Sequence, residues 1–411
     1  MNICLLTYEY PHSMADAIVS GEVKNSYHLA RGLVAAGHDV TIVSVPFLTR
    51  SVKSAGFRPD PGPPICDVPE GRFRSVVRYA LRIRNVERLM AGSLNDGRFD
   101  VIHAESPALA AGAIRARRRR NPAGTTPIVT TAHGTYLPEV RAGDAGPSVT
   151  HLLRTAGGRL SLRIDRNAFG SSAAVVAASR YQRREMEELY RVPAEKVEII
   201  HNGVDLDLYC PGDAPADLAA SRPAKGGPTI LFVGRLVPKK GLQHLIAAFP
   251  RILAVAPEAR CVVVGGSKVF DTFGSELRKL SRRLGVADRF CWLQDVPELD
   301  MPRVYRAADV AVFPSVHYES LPTVILEAMA CGVPVVATRN WGTPEALGLE
   351  HPGLLDQATP EALAGRVAAF LDGPELSARV RLDQLARVRS FGLTVAVAKH
   401  EELYRRVATG R

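Results

Sequence analysis

The chain has 411 residues, 46% apolar and 23% charged, with a formal net charge of +10. That length suits two domains that each bury a core, and no apolar run approaches the ~20 residues of a membrane span. Six cysteines without any C-x-x-C spacing exclude a disulfide framework or a cysteine zinc site as the organising element.

A reduced, cytoplasmic protein is the expectation, since the first strand-like run opens at Asn2 with no signal-peptide features. The positive balance leans N-terminal: 27 Lys/Arg stand against 20 Asp/Glu up to Asp205, and 25 against 22 beyond it. Abundant arginine and alanine are what a GC-rich genome gives. An anionic membrane surface or acidic ligand is the sharper reading.

Strand-like runs alternate with helical stretches, which argues for parallel sheets covered by helices. Ile3–Tyr8 reads as a buried strand, a loop reaches Gly21, and a helix over about Val23–Ala36 stops at Gly37. Asp39–Val45, Val101–Ala104, Ile128–Ala132, Ala174–Ala177 and Val197–His201 read as later strands. After a stretch rich in Pro, Gly and Ala, the pattern restarts. Thr229–Val233, Cys261–Val264, Phe290–Leu293, Ala311–Phe313 and Val335–Ala337 are strands; Gly241–Ala254, Ser275–Leu284 and Phe391–Val407 are helices.

The expected division is an N-terminal Rossmann-like domain over 1–208, a linker over 209–228, a second Rossmann-like domain over 229–388 and a final helix over 389–411. The fold class is α/β, with the two domains facing each other across a cleft. Ligands of such sheets bind beyond the carboxyl ends of the strands.

The segment Glu319-Ser320-Leu321-Pro322-Thr323 runs into an apolar helix that contains Glu327 and stops at Gly332 and Pro334. A helix N-terminus attracts an anion such as a diphosphate. A carboxylate on each side accepts hydroxyl hydrogen bonds. Diphosphate flanked by two polyols describes a nucleotide-sugar, although a lone pair of glutamates at this spacing is more often a solvated face. Gly234-Arg235 and Lys240-Gly241 frame a loop after the first strand of the second domain, a place to clamp phosphate. Surface cations after strands are also common. His133 follows a strand in Thr131-Ala-His133-Gly134-Thr135 and reads as a neutral hydrogen-bonding group.

Other motifs are weaker. Ser20-Gly21 opens the first helix. Asp205-Leu-Asp207 is formally a metal motif, but its turn context makes it structural, and no metal is expected. Arg72–Met90 reads as a basic amphipathic helix. A solvated arginine face is the commoner explanation, and weak association with an anionic membrane surface the rarer. Arg117–Arg120 reads as a charged helix end, not a nucleic-acid patch, because it lacks interleaved aromatics.

Glu319-Ser-Leu-Pro before the apolar helix, Gly332-Val-Pro334-Val-Val-Ala-Thr after it, and Gly234-Arg235 with Lys240-Gly241 resemble the signature of retaining glycosyltransferases of family 4, which have the GT-B fold. The match spans both domains and nearly the whole chain.

The resemblance implies that Glu319 meets donor-sugar hydroxyls and Glu327 holds the ribose, with Ser320, Leu321, Pro322 and Thr323 lining the donor site. Arg235 and Lys240 would neutralise the diphosphate beside Gly234, Gly21 would approach the donor phosphate, and His133 would contact the donor sugar. The usual Gly-Gly is Ser20-Gly21 here, and Gln294 stands where Gly is usual near the base. The final helix would cross back onto the N-terminal domain.

The implied activity is metal-independent transfer from a nucleoside-diphosphate sugar, a UDP-sugar by default, to a hydroxyl acceptor such as a cyclitol or other small core. The alternatives are a lipid-linked or inositol-phosphate acceptor at the inner membrane face, a nucleotide-sugar epimerase, and a non-catalytic sugar-nucleotide sensor. Monomer and dimer both remain open.

Overall fold

The computed structural model describes residues 1–8, 21–45, 65–67, 83–88, 90, 98–120, 126–133, 156–213, 227–265 and 272–410. Four features of the sequence reading lie outside them: Ser20, Gly134–Thr135, the 72–82 part of the basic helix, and residues 214–226 of the linker. The chain divides into two compact units. The first holds the N-terminal strand, Glu22–Gly203 and Leu393–Arg411; the second holds Gly21 and Val204–Gly392.

The first unit is a seven-stranded sheet: β1 (Asn2–Tyr8), β2 (Asp39–Val45), β3 (Ile65–Asp67), β4 (Val101–Ala104), β5 (Ile128–Thr131), β6 (Ala174–Ala177) and β7 (Val197–Ile199). Their order is β3-β2-β1-β4-β5-β6-β7, with every pairing parallel. Parallel strands covered on both faces read as continuous apolar runs. Ile3, Cys4, Leu5 and Leu6 are accordingly fully buried.

Helix α1 (Gly21–Ala35) ends where Gly37 takes φ 85°, a left-handed turn that glycine adopts without penalty. Helices α2 (Pro107–Arg120), α3 (Ala156–Ser171) and α4 (Arg180–Glu188) follow their strands. Ser179 caps α4, its side chain accepting from the Gln182 N–H. The charged run Arg117–Arg120 forms the end of α2.

The second unit repeats the design with six parallel strands: β8 (Thr229–Val233), β9 (Arg260–Val264), β10 (Phe290–Leu293), β11 (Val310–Phe313), β12 (Val335–Thr338) and β13 (Leu354–Leu355). Their order is β10-β9-β8-β11-β12-β13. Helices α5 (Leu242–Val255), α6 (Thr272–Arg283), α7 (Met301–Arg306), α8 (Thr323–Ala330), α9 (Thr343–Leu347), α10 (Pro360–Asp372) and α11 (Pro374–Val388) cover it. Phe232, Phe249, Ile246, Val263 and Val312 are among the buried residues of its core. In both sheets the strand order reverses beside the first strand, between β1 and β4 and between β8 and β11. Loops there diverge and leave a crevice at the carboxyl ends.

The last helix, α12 (Leu393–Ala408), belongs to the first unit and buries Val397, His400, Leu403 and Tyr404. A Cβ at Gly32 of α1 would lie 2.4 Å from Val397 Cγ2, so only glycine lets the two helices close this far. The helix starts two residues later than its hydrophobic pattern suggests. Gly392 is extended (φ −61°, ψ 147°) and its neighbours Arg389–Phe391 form a separate 3-10 turn.

The segment entering the second unit is packed, not loose. Val204 bridges to Gly392, and Tyr209 is buried with its hydroxyl donating to Glu298 at 2.7 Å. Asp205 Oδ1 accepts from the Asp207 and Leu208 N–H groups at 3.1 Å each, so the formal D-x-D is a turn device.

Candidate functional site

In the second unit, chemistry-bearing side chains collect at the strand-order reversal. Beyond β8 the chain turns at Gly234 (φ 158°), makes a 3-10 turn over Pro238–Lys240, and enters α5 through Gly241 (φ 76°). A Cβ at Gly241 would lie 1.8 Å from the Pro314 carbonyl oxygen. Glycine therefore lets the Lys240 loop press against the chain leaving β11, and places Lys240 beside Ser315 and Glu319.

There Lys240 Nζ forms an ion pair with Glu319 Oε1, which also accepts from Ser315 Oγ at 3.0 Å. The Lys240 and Glu319 side chains are 20% and 13% exposed. Thr338 Oγ1 and Asn340 Nδ2 both donate to the Ser315 carbonyl, and the Gly342 N–H donates to the Glu319 carbonyl at 3.0 Å. Glu319 is thus anchored at its backbone and through Ser315. A Cβ at Gly342 would sit 1.7 Å from Ser320 O, so this contact also requires glycine.

A small open cleft lies over this group, lined by Phe232, Lys240, Phe313, Ser315, Glu319, Pro322, Val324 and Thr343. Helix α8 begins directly after Pro322 and ends at Gly332 (φ 71°). Its amino-terminal end meets the cleft, where the helix dipole favours an anion.

Arg235 is exposed. Leu321 is buried and Ser320 half-buried, with the Ser320 backbone against Gly342. Glu327 is 2% exposed, and its Oε2 accepts from Tyr305 OH at 2.9 Å. Gly21 is exposed at the first position of α1.

In the first unit, Glu105 follows β4 and His133 follows β5 by two residues, on adjacent strands in register. Glu105 is fully buried, and its Oε2 pairs with His133 Nε2. Its other oxygen, Oε1, has no hydrogen-bond partner among the described residues and lies 3.9 Å from His103 Nε2. His103 donates or accepts at both nitrogens, with Tyr404 OH at 2.5 Å and Thr131 Oγ1 at 2.6 Å. The C-terminal helix therefore covers the sheet face that carries this cluster.

Burial alone would raise the Glu105 carboxyl, but the His133 and His103 charges and the His133 hydrogen bond outweigh it and hold it low. Burial alone would lower His133, and Glu105 overcomes it and raises it. Burial lowers His103 to about 4, so that ring stays neutral. The Glu105 carboxylate thus favours the protonated form of His133, where the sequence suggested a neutral ring. A buried acid cannot be seen from the Thr131–Thr135 segment alone.

Sequence reasoning missed Glu105, Ser315, Thr343 and Tyr305. Glu105 and Ser315 were within reach, since each sits at the carboxyl end of a strand beside the order reversal. Tyr305 was not, because only packing brings it to Glu327. Among the described residues no group of three His, Cys, Asp or Glu side chains is placed to hold a metal ion, and no helix is long and apolar enough to cross a membrane.

Two Rossmann-like units with a lysine, a glutamate and a helix amino-terminus at the second sheet's crevice define the GT-B class of α/β protein. A family model described as Glycosyltransferase Family 4 matches residues 20–208, and one described as Glycosyl transferases group 1 matches 213–387. The chain belongs to this glycosyltransferase family.

Among curated relatives, the D-inositol 3-phosphate glycosyltransferase of Segniliparus rotundus is 34% identical over 202 residues, covering 49% of this chain and 45% of the relative. The chain thus spans about half the length of the first such relatives it matches. The fold matches sucrose-phosphate synthase from Thermosynechococcus elongatus with a TM-score of 0.81 at 21% identity over the whole of both chains. It also matches Anabaena Alr3699/HepE, solved in complex with UDP and glucose, with a TM-score of 0.75 at 20% identity over 98% of this chain and 99% of the other.

Proposed function

We propose that the chain is a retaining glycosyltransferase that moves a sugar from a nucleoside-diphosphate sugar, UDP-linked by first choice, to a hydroxyl of a small cyclitol-like acceptor. The observation that carries this reading is the Lys240–Glu319–Ser315 group at the amino-terminal end of α8. A cation and a helix dipole suit a diphosphate, and a carboxylate in direct contact with that cation suits sugar hydroxyls. Lys240, Arg235 and the α8 N–H groups would stabilise the departing diphosphate. Glu319 would orient the sugar, and Glu327, fixed by Tyr305, the ribose. His133 would offer its remaining N–H to a substrate oxygen. With these cations in place the transfer would need no metal.

A phosphorylated cyclitol is the second reading for the acceptor, favoured by the relatives named D-inositol 3-phosphate glycosyltransferase. The test begins with thermal shifts against UDP, GDP, ADP and dTDP sugars. A ligand at a hundred times its dissociation constant stabilises by about 2.7 kcal/mol. The donor that binds is then incubated with inositol or inositol phosphate, and the product's anomeric configuration is read by NMR. Retention supports the proposal. Inversion, or no nucleotide-sugar binding at all, rejects it.

A further inference from the structure

Lys240 and Glu319 are ion-paired to one another on the wall of the same cleft, and Ser315 donates to the same carboxylate oxygen that Lys240 meets. Neither charge is deeply buried, and either could be drawn to a ligand. We propose that this pair, with Ser315 as its positioning residue, makes the cleft select an intact sugar nucleotide over the nucleoside diphosphate left after transfer. The inference rests on the donor reading above and concerns what distinguishes substrate from product.

The physical argument is one of exchange. An anionic ligand that takes Lys240 removes the cation that neutralises Glu319. If the ligand carries sugar hydroxyls, they donate to the carboxylate and both charges remain satisfied. If it carries none, Glu319 is left with Ser315 alone beside a second anion, and like charges repel. The bare diphosphate therefore competes against the ion pair, whereas the intact donor replaces both halves of it. Ser315 matters because it keeps Glu319 in place while Lys240 leaves. Its own carbonyl is fixed by Thr338 and Asn340, so the hydroxyl is presented from a rigid loop. The same arrangement favours release of the spent nucleotide.

The test measures dissociation constants of UDP and the best-bound UDP-sugar by calorimetry, for the wild type and two variants of the full chain. Glu319→Gln frees Lys240 and removes the repulsion. UDP should then bind about two- to fivefold tighter, the range set by a partly exposed ion pair, while the UDP-sugar binds more weakly. The preference for the intact donor collapses. Ser315→Ala leaves Glu319 free to follow Lys240, so UDP should bind more weakly and the donor more weakly still. These two opposite effects on UDP are what a purely structural role would not produce. If UDP binds the wild type but Glu319→Gln leaves its affinity unchanged or lower, the selectivity inference is wrong and the donor reading stands. If neither UDP nor any nucleotide-sugar binds the wild type, both fall together. Should Glu319→Gln fold poorly, Ser315→Ala decides alone: unchanged UDP affinity there overturns the inference.

Discussion

Glu105→Gln replaces a buried carboxylate by an amide of the same shape and removes the anion that favours the protonated form of His133. In the wild type the Glu105 side chain is wholly buried and that of His133 is 8% exposed, so solvent screens the pair little. Stripping one partner from a buried ion pair costs about 3–5 kcal/mol when the other stays charged. Here His133 can release its proton and keep one neutral hydrogen bond to the amide. The loss then falls to about 1–2 kcal/mol, the difference between a charged and a neutral hydrogen bond. For a unit of this size that lowers Tm by about 2–8 °C.

The sign with pH follows from the two titrations. Glu105 is depressed from 4.5, so its contribution is present above that value and is lost as pH falls through its lower folded pKa. His133 is raised from 6.5, so its contribution is full below that value and is lost as pH rises through its higher folded pKa. The Tm gap between wild type and variant should be widest between pH 4.5 and 6.5 and narrow well above neutrality. His133 also sits near Glu22, His103 and His400, whose charges enter the same balance. Calorimetric scans at pH 6 and pH 9, with the His133 ring titrated by NMR, measure this directly. A gap at pH 9 as large as at pH 6, or a His133 pKa unmoved by the substitution, would refute the reasoning.

Tyr305→Phe deletes the phenol that donates to buried Glu327 and should cost about 1.5–3 kcal/mol, read as a lower denaturation midpoint at unchanged m-value. Gly342→Ala pushes a methyl group into the Ser320 carbonyl and displaces the Glu319 loop. Circular dichroism should be retained, while donor affinity by calorimetry falls about tenfold or more. Asp205→Ala loses the turn that binds two N–H groups. It should cost about 1 kcal/mol in thermal unfolding, with turnover neither lost nor made sensitive to a chelator.

The strand–helix alternation of both halves was legible because buried parallel strands are continuous apolar runs bounded by breakers. Asp39–Val45, Val101–Ala104, Ala174–Ala177, Thr229–Val233 and Phe290–Leu293 form strands at the residues the pattern indicates. The edge strands Ile65–Asp67 and Leu354–Leu355 were not legible, being too short to carry a period, and the apolar pattern alone did not single out the helices over 107–120 and 156–171. The loop residues Gly234, Lys240, Gly241 and Glu319 could be picked out locally, because turn chemistry and helix starts are written in consecutive residues. That Lys240 meets Glu319, that Glu105 meets His133, and that Tyr404 closes on His103 was decided by tertiary structure alone. In a parallel sheet each strand returns through a crossover, so residues joined at the carboxyl ends are separated by whole helices in the chain. Their charge states follow from burial and from one another, and neither is a property of local sequence.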